Sequence, residues 1–345
     1  MRVTELQSYR VTELQGYRVT GLLDCVIPDF FLPVLSHIIS GAMKMYHYIR
    51  VLLVISFLAI TSSLCAAEYP PAIDQALLNA GTNRPQIEAA LNRIQSAHRE
   101  GLEFLIENMP ERDLTTLSAD FLLDNTDAAY EVMAKAPWGK QVPKDLFLNE
   151  VLPYCSVTER RDNWRRDFIK RFLPLVANSK TPAAAAAKLN REIFRLLGVR
   201  YSTQRSKPDQ SPYESIGEQK ASCTGLSILL INACRAVGVP ARLAGIPMWP
   251  NSSGNHSWVE IWDNGWHFTG AAEPSGDKLD QAWFGNQAKT ARADEPRHSI
   301  YATSFRRTSV PFSLCWAPGV NYVSATNVTS RYSGTNHASS VEDGN

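Results

Sequence analysis

Residues 222–237 read Ser-Cys-Thr-Gly-Leu-Ser-Ile-Leu-Leu-Ile-Asn-Ala-Cys-Arg-Ala-Val. Leu226, Leu229, Leu230, Ala233 and Val237 fall on one broad apolar face, so this helix has to be buried, and Gly238 is placed to end it in a left-handed cap. Past Gly238 the pattern becomes strand-like. Residues 240–246 (Pro-Ala-Arg-Leu-Ala-Gly-Ile) read as a strand, and a polar turn runs from Trp249 to Asn255. Residues 256–270 then read His-Ser-Trp-Val-Glu-Ile-Trp-Asp-Asn-Gly-Trp-His-Phe-Thr-Gly. Asn264-Gly265 between aromatic and aliphatic runs predicts a hairpin closed by a two-residue type I′ turn. Such a turn fixes a register in which Asp263 pairs with Trp266, Glu260 faces Thr269, Trp258 faces Ala271 and His256 faces Glu273, while Gly270 opposes Val259.

Cys223 lies in the first turn of the apolar helix, where unpaired N–H groups and the macrodipole favour a thiolate and its own N–H can receive an oxyanion. A free cysteine is equally at home as a small buried hydrophobe, which is how Cys234, three turns on, reads. Ser222, Thr224 and Gly225 set Cys223 apart from that pattern. His256 is the candidate base. Glu273, the only acid on the face of His256 in the predicted register, is the candidate partner that orients the imidazole. The alternative is that Glu273-Pro274 merely ends the strand. His267, beside the turn, reads as a surface residue. Trp249, Trp258 and Trp262 either wall a cleft or fill core, as strand aromatics more often do.

Cys at a helix start, a Gly-Val-Pro-Ala-Arg strand (238–242), His-Ser-Trp-Val-Glu (256–260) and a Gly-Trp return strand resemble, in order and spacing, the transglutaminase-like superfamily. This group includes transglutaminases, bacterial thiol proteases and peptide N-glycanases. The resemblance covers residues 181–284 and implies an α+β fold: a papain-like core whose nucleophile helix packs on an antiparallel sheet, here preceded by a helical N-terminal region. Cys223 and His256 map directly onto the family's nucleophile and base. The third member departs from the pattern, because family return strands carry Asp at the position of Gly270, whereas Glu273-Pro274 comes three residues later. Asp263 and Asp277 are the fallback acids. Gln219, four residues before Cys223, stands where papain-like enzymes keep an oxyanion-binding Gln.

These residues imply a Cys-His-acid enzyme that attacks peptide or side-chain amides through an acyl-enzyme, with hydrolysis (protease or amidase) favoured because no feature is dedicated to excluding water. Protein-glutamine transamidation, peptide N-glycanase-like deglycosylation and a catalytically silent binding module stay open. The expected partner is a peptide or protein substrate. With 35 basic against 34 acidic residues and a net charge of +1, no global field favours nucleic acid. Six scattered cysteines show no zinc spacing, so neither a metal nor another cofactor is expected.

The N-terminus is of another kind. Residues 2–9 (Arg-Val-Thr-Glu-Leu-Gln-Ser-Tyr) are repeated with Gly for Ser and begun again at Arg18, a period with no face to bury. Lys44 and Arg50, the apolar run 51–60 and Cys65-Ala66-Ala67 then read as a signal peptide over 43–67, so residues 1–42 are expected to be an upstream extension and the mature protein exported, periplasmic or extracellular. A lipoprotein anchored through Cys65 fits less well, and cleavage leaves no membrane span. Export permits one disulfide among Cys155, Cys234 and Cys315 if Cys223 stays free. Residues 68–176 read as short helices cut by Pro110, Pro137, Pro143 and Pro153, with Ile87 through Leu102 on one face and Trp164, Phe168 and Phe172 as a buried stripe. The catalytic domain is expected over 177–332, with a polar loop at 202–220, further strands near 299–305, 310–316 and 320–328, and a disordered tail over 333–345.

Overall fold

The computed structural model describes residues 69–334, together with Met45 and Arg50. The expected extension 1–42 and nearly all of the expected signal peptide and tail lie outside the described residues. Helices α1 (Pro71–Asn79), α2 (Arg84–Arg93), α3 (Arg99–Asn108) and α4 (Ala119–Lys135) open the described chain. The face expected to run unbroken from Ile87 to Leu102 is split at Ile94, whose backbone is extended, and His98 turns aside to meet Asp127 at 2.6 Å. A π-helical turn (Phe147–Val151) leads through Pro153 to α5 (Arg165–Phe172), on which Phe168 and Phe172 are buried behind Trp164.

Helix α6 (Pro182–Leu197) begins at Thr181, whose hydroxyl accepts the Ala184 N–H, and ends at Gly198 with φ +70°. The stretch expected to be a polar loop contains helix α7 (Pro212–Glu218). Ser211 and Glu214 form a capping box around Pro212, a signal present in the sequence but hidden among polar residues. Short strands β1 (Arg200–Tyr201) and β2 (Lys220–Ala221) pair in parallel and deliver the chain to α8 (Cys223–Ala236).

Helix α8 is the hub of an α+β fold. Every residue from Thr224 to Ala236 is buried, with α5, α6 and α7 against it on the helical side and a sheet on the other. That sheet runs β5-β4-β3-β6-β7, antiparallel throughout: β3 (Ala241–Ile246), β4 (His256–Trp262), β5 (Trp266–Thr269), β6 (Tyr301–Ser304) and β7 (Ser324–Asn327). Residues 310–316, expected as a strand, make only an isolated bridge at Pro311, which has no N–H to extend a ladder. Leu243, Val259 and Ile261 join the large core shared with the helices, while Ala244, Trp258, Phe284 and Tyr332 form a second cluster.

Buried ions join the helical layer to the sheet. Between the π turn and α5 the chain is irregular, so its carbonyls lack ladder partners. Arg165 donates to the carbonyls of Val151, Leu152 and Pro153, and Arg235, near the end of α8, donates to those of Glu150, Pro153, Cys155 and Ala241. On the sheet, Arg242 of the Gly-Val-Pro-Ala-Arg motif lies directly across from Glu260 of the His-Ser-Trp-Val-Glu motif, at 2.7 and 2.8 Å, with its guanidinium 3.6 Å from the Trp266 ring. Glu260 in turn accepts from Tyr332, whose hydroxyl accepts from the Trp258 indole. Glu150 lies between Arg235 and Arg242, and its Oε2 has no hydrogen-bond partner.

Two outcomes are expected for stability. Arg235→Met strips the buried carbonyls of Glu150, Cys155 and Ala241 of this donor, leaves Pro153 with Arg165 alone, and lowers unfolding free energy by about 3–5 kcal/mol, read from the denaturant midpoint. Glu150 is pushed up to about 7, by burial above all. Its proton is held more tightly folded than unfolded, so the stability linked to that proton is fully present below the unfolded value of 4.5 and lost as pH rises to about 7. Glu150→Gln removes that slope, and thermal melts from pH 4.5 to 8 show the variant gaining on the parent as pH rises.

Candidate active site

Ser222 caps α8 by accepting the Gly225 N–H, and its hydroxyl donates to the Pro208 carbonyl at 2.6 Å, fixing the point where the loop becomes helix. Cys223 is the next residue. Thr224 and Ser227 reach across to Ser257, at 3.2 and 3.5 Å, and so stitch the start of α8 to the start of β4. Cys223 and His256 thereby line one cavity of about 300 Å³, which Glu273 and Trp283 also line.

The walls around His256 are aromatic. Its ring centroid lies 5.9 Å from Trp258, 5.0 Å from Trp283 and 4.9 Å from Phe284, and Trp258 stacks in parallel on Trp249. Nε2 is buried without a hydrogen-bond partner, and burial lowers the imidazole to about 4. The Cys223 thiol is raised, also by burial, against the pull of the Ser257 N–H, the Thr224 hydroxyl and N–H, and the charge of Arg205. The sequence expectation that the helix terminus favours a thiolate is therefore reversed in the resting site. Desolvation of both groups outweighs the local donors and favours neutral thiol beside neutral imidazole.

The hairpin register also differs from expectation. Trp262 pairs with Trp266, Ile261 with His267, Glu260 with Phe268 and Val259 with Thr269. The loop is thus three residues long, 263–265. Asn264 alone takes the left-handed conformation, at φ +56°, whereas a type I′ turn needs Gly265 there as well. Asp263 is drawn out of the ladder because its carboxylate accepts the Ala183 N–H in the first turn of α6. This shift of one residue puts Thr269 on the α6 side, where Asn190 donates to it, and puts Gly270 on the face shared by Trp258 and His256.

Glu273 reaches the cavity by another route. After Thr269 the chain turns: the Glu273 N–H donates to the Gly270 carbonyl at 3.2 Å, and Ala272 sits at φ +62°. Buried Asn190 holds the turn from both sides, donating to the Gly270 carbonyl at 2.8 Å and accepting the Ala272 N–H at 2.9 Å. The carboxylate folds back over Gly270 so closely that a methyl group built there would collide with it. Glu273 therefore fills the space of the side chain that Gly270 lacks. Its Oε2 accepts the Trp283 indole N–H at 2.9 Å, and among the described residues no carboxylate hydrogen-bonds to His256.

The remaining candidates lie elsewhere. The Gln219 amide packs against Gly198 and is not among the residues lining the cavity. Asp263 is committed to α6, and Asp277 pairs with Arg191. His267 meets Asp280 at 2.7 Å. Burial works against its imidazolium, but Asp280 outweighs burial and raises it. Trp249 and Trp258 are core beneath His256. Cys155, Cys223, Cys234 and Cys315 are all free, and among the described residues no group of His, Cys, Asp or Glu could hold a metal. Sequence reasoning missed Trp283. It lies 62% exposed in Gln-Ala-Trp-Phe, beyond the hairpin, and no periodicity marks it.

A resting neutral pair has a signature. Iodoacetamide alkylation of Cys223 rises with pH to a midpoint above that of an exposed thiol; a rate flat down to pH 6 contradicts it.

Residues 171–270 match the family model of the transglutaminase-like superfamily. No curated protein matches the chain. Among solved structures, the chain is similar to a Cytophaga hutchinsonii protein described as a "Putative Cysteine Protease", at 19% identity and a TM-score of 0.31. The similarity covers 39% of this chain and 44% of that one, so the chain spans less than half of that protein's length. The segment 171–270, which carries Cys223, His256 and the hairpin up to Gly270, is transglutaminase-like.

Proposed function

We propose that this protein is an exported thiol hydrolase, a protease or amidase, in which Cys223 is the nucleophile, His256 the base and Glu273 the acid that supports the imidazolium. The observation that carries this reading is the convergence of the three side chains on one cavity, with the carboxylate occupying the place of a side chain at Gly270. Export rests on the segment 43–67 of the sequence. The catalytic domain spans 177–332, with the helices of 68–176 as its support.

In this mechanism the Cys223 thiol passes its proton to His256 as the sulfur attacks the amide carbonyl, and the oxyanion forms beside the Cys223 N–H at the start of α8. His256 then protonates the departing amine, the carbon–nitrogen bond breaks, and a thioester remains. Water, deprotonated by His256, attacks the thioester, the carbon–sulfur bond breaks, and the acid is released as His256 returns the proton to the Cys223 sulfur. Because the resting pair is neutral, the charge appears only as the thiol is deprotonated, and a nearby carboxylate stabilises the imidazolium formed then.

Hydrolysis of casein by the purified protein, amine incorporation with a dansyl-amine donor and cleavage of a glycopeptide separate the alternatives. The expected result is casein hydrolysis that Cys223→Ser abolishes and His256→Ala slows by about 10²–10⁴-fold. Amine incorporation exceeding hydrolysis makes the protein a transamidase, and no turnover with an unlabelled Cys223 makes it a binding module.

A further inference from the structure

Trp283 lies beyond the hairpin, outside the segment 171–270, yet it is built into the cavity. The chain that carries it is fastened back onto β5 at one residue. The Asp280 N–H donates to the Phe268 carbonyl at 2.9 Å, its carboxylate accepts the Phe268 N–H at 2.9 Å, and its second oxygen meets His267. Ser275 adds a hydroxyl bond to the Gln281 carbonyl. Three residues after Asp280, the indole of Trp283 lies 5.0 Å from the His256 ring, centroid to centroid, and donates to Glu273 Oε2. The ring is more than half exposed, so packing alone does not account for its position.

Glu273 hangs from a turn rather than a strand, and a carboxylate on a turn at the surface has water as a competing partner. We infer that Trp283 is a positioning residue for the proposed triad: its indole N–H holds Glu273 over Gly270, so that the carboxylate stays beside the His256 cavity. With Oε2 taken by the indole, Oε1 is the acceptor left for the imidazolium as the proton leaves Cys223. The inference rests on the proposed triad and assigns Trp283 no contact with the reacting atoms.

The test needs no knowledge of the substrate. Iodoacetamide alkylates Cys223 by the first step alone: the S–H proton goes to His256, sulfur bonds carbon, and iodide leaves. The rate at Cys223 is followed by peptide mass spectrometry from pH 5.5 to 10 in the full-length protein, in Trp283→Phe, which keeps a ring but no N–H, in Glu273→Gln, and in the double variant. Trp283→Phe is expected to slow alkylation near neutral pH by about tenfold and to move the profile about one unit to higher pH. Glu273→Gln does at least as much, and the double variant is no slower than Glu273→Gln alone, because both act through one carboxylate. Thermal melts unchanged by Trp283→Phe separate this from lost folding. If Glu273→Gln slows alkylation and Trp283→Phe does not, or if the two effects multiply, the inference fails while the triad stands. If Glu273→Gln and His256→Ala both leave the profile unchanged, the triad itself fails.

Discussion

Two buried guanidinium groups set the terms for the rest of the fold. An irregular stretch such as 150–155 cannot be placed inside a protein without donors for its carbonyls, and here the donors come from Arg165 and Arg235. Arg235 belongs to α8, so the helix that begins at Cys223 is tied near its other end to the helical layer. Arg242 continues the tie into the sheet through Glu260, and from Glu260 it runs through Tyr332 to Trp258, which packs against His256. Thiol and imidazole are thus held at the ends of two rigid elements whose far ends share one ion network.

The same rigidity explains the electrical state of the site. Packing that fixes the imidazole also dries it, and the dry ring gives up its proton. The cysteine is affected alike, despite its place at a helix N-terminus. Burial and helix dipole act on the same thiol with opposite sign, and a sequence shows only the dipole, because the depth of a residue depends on neighbours far along the chain.

Much of the arrangement was legible because it is local. The apolar face of α8, the Thr181 and Gly198 caps of α6, and the existence of the hairpin all derive from neighbouring residues. The hairpin register was not, because it is decided by Asp263 bonding to α6, some 80 residues earlier. Helix α7 was missed although Ser211, Pro212 and Glu214 spell its start, since a polar stretch that short has no periodicity to read. Glu273 was identified through a register the structure does not have; it is in the cavity because of the Asn190-bound turn. The Arg242–Glu260 pair lay unnoticed in the two motifs that carried the family resemblance.

The turn at Gly270 has a consequence for how such a chain could change. The collision that a side chain at 270 would make with the Glu273 carboxylate means that these positions are rival seats for a single charge. An acid on the strand at 270 and an acid on the turn at 273 cannot both occupy the space beside the imidazole. Filling 270 with an acid would require the Glu273 carboxylate to leave, so glycine at 270 is the condition on which this chain carries its charge on the turn.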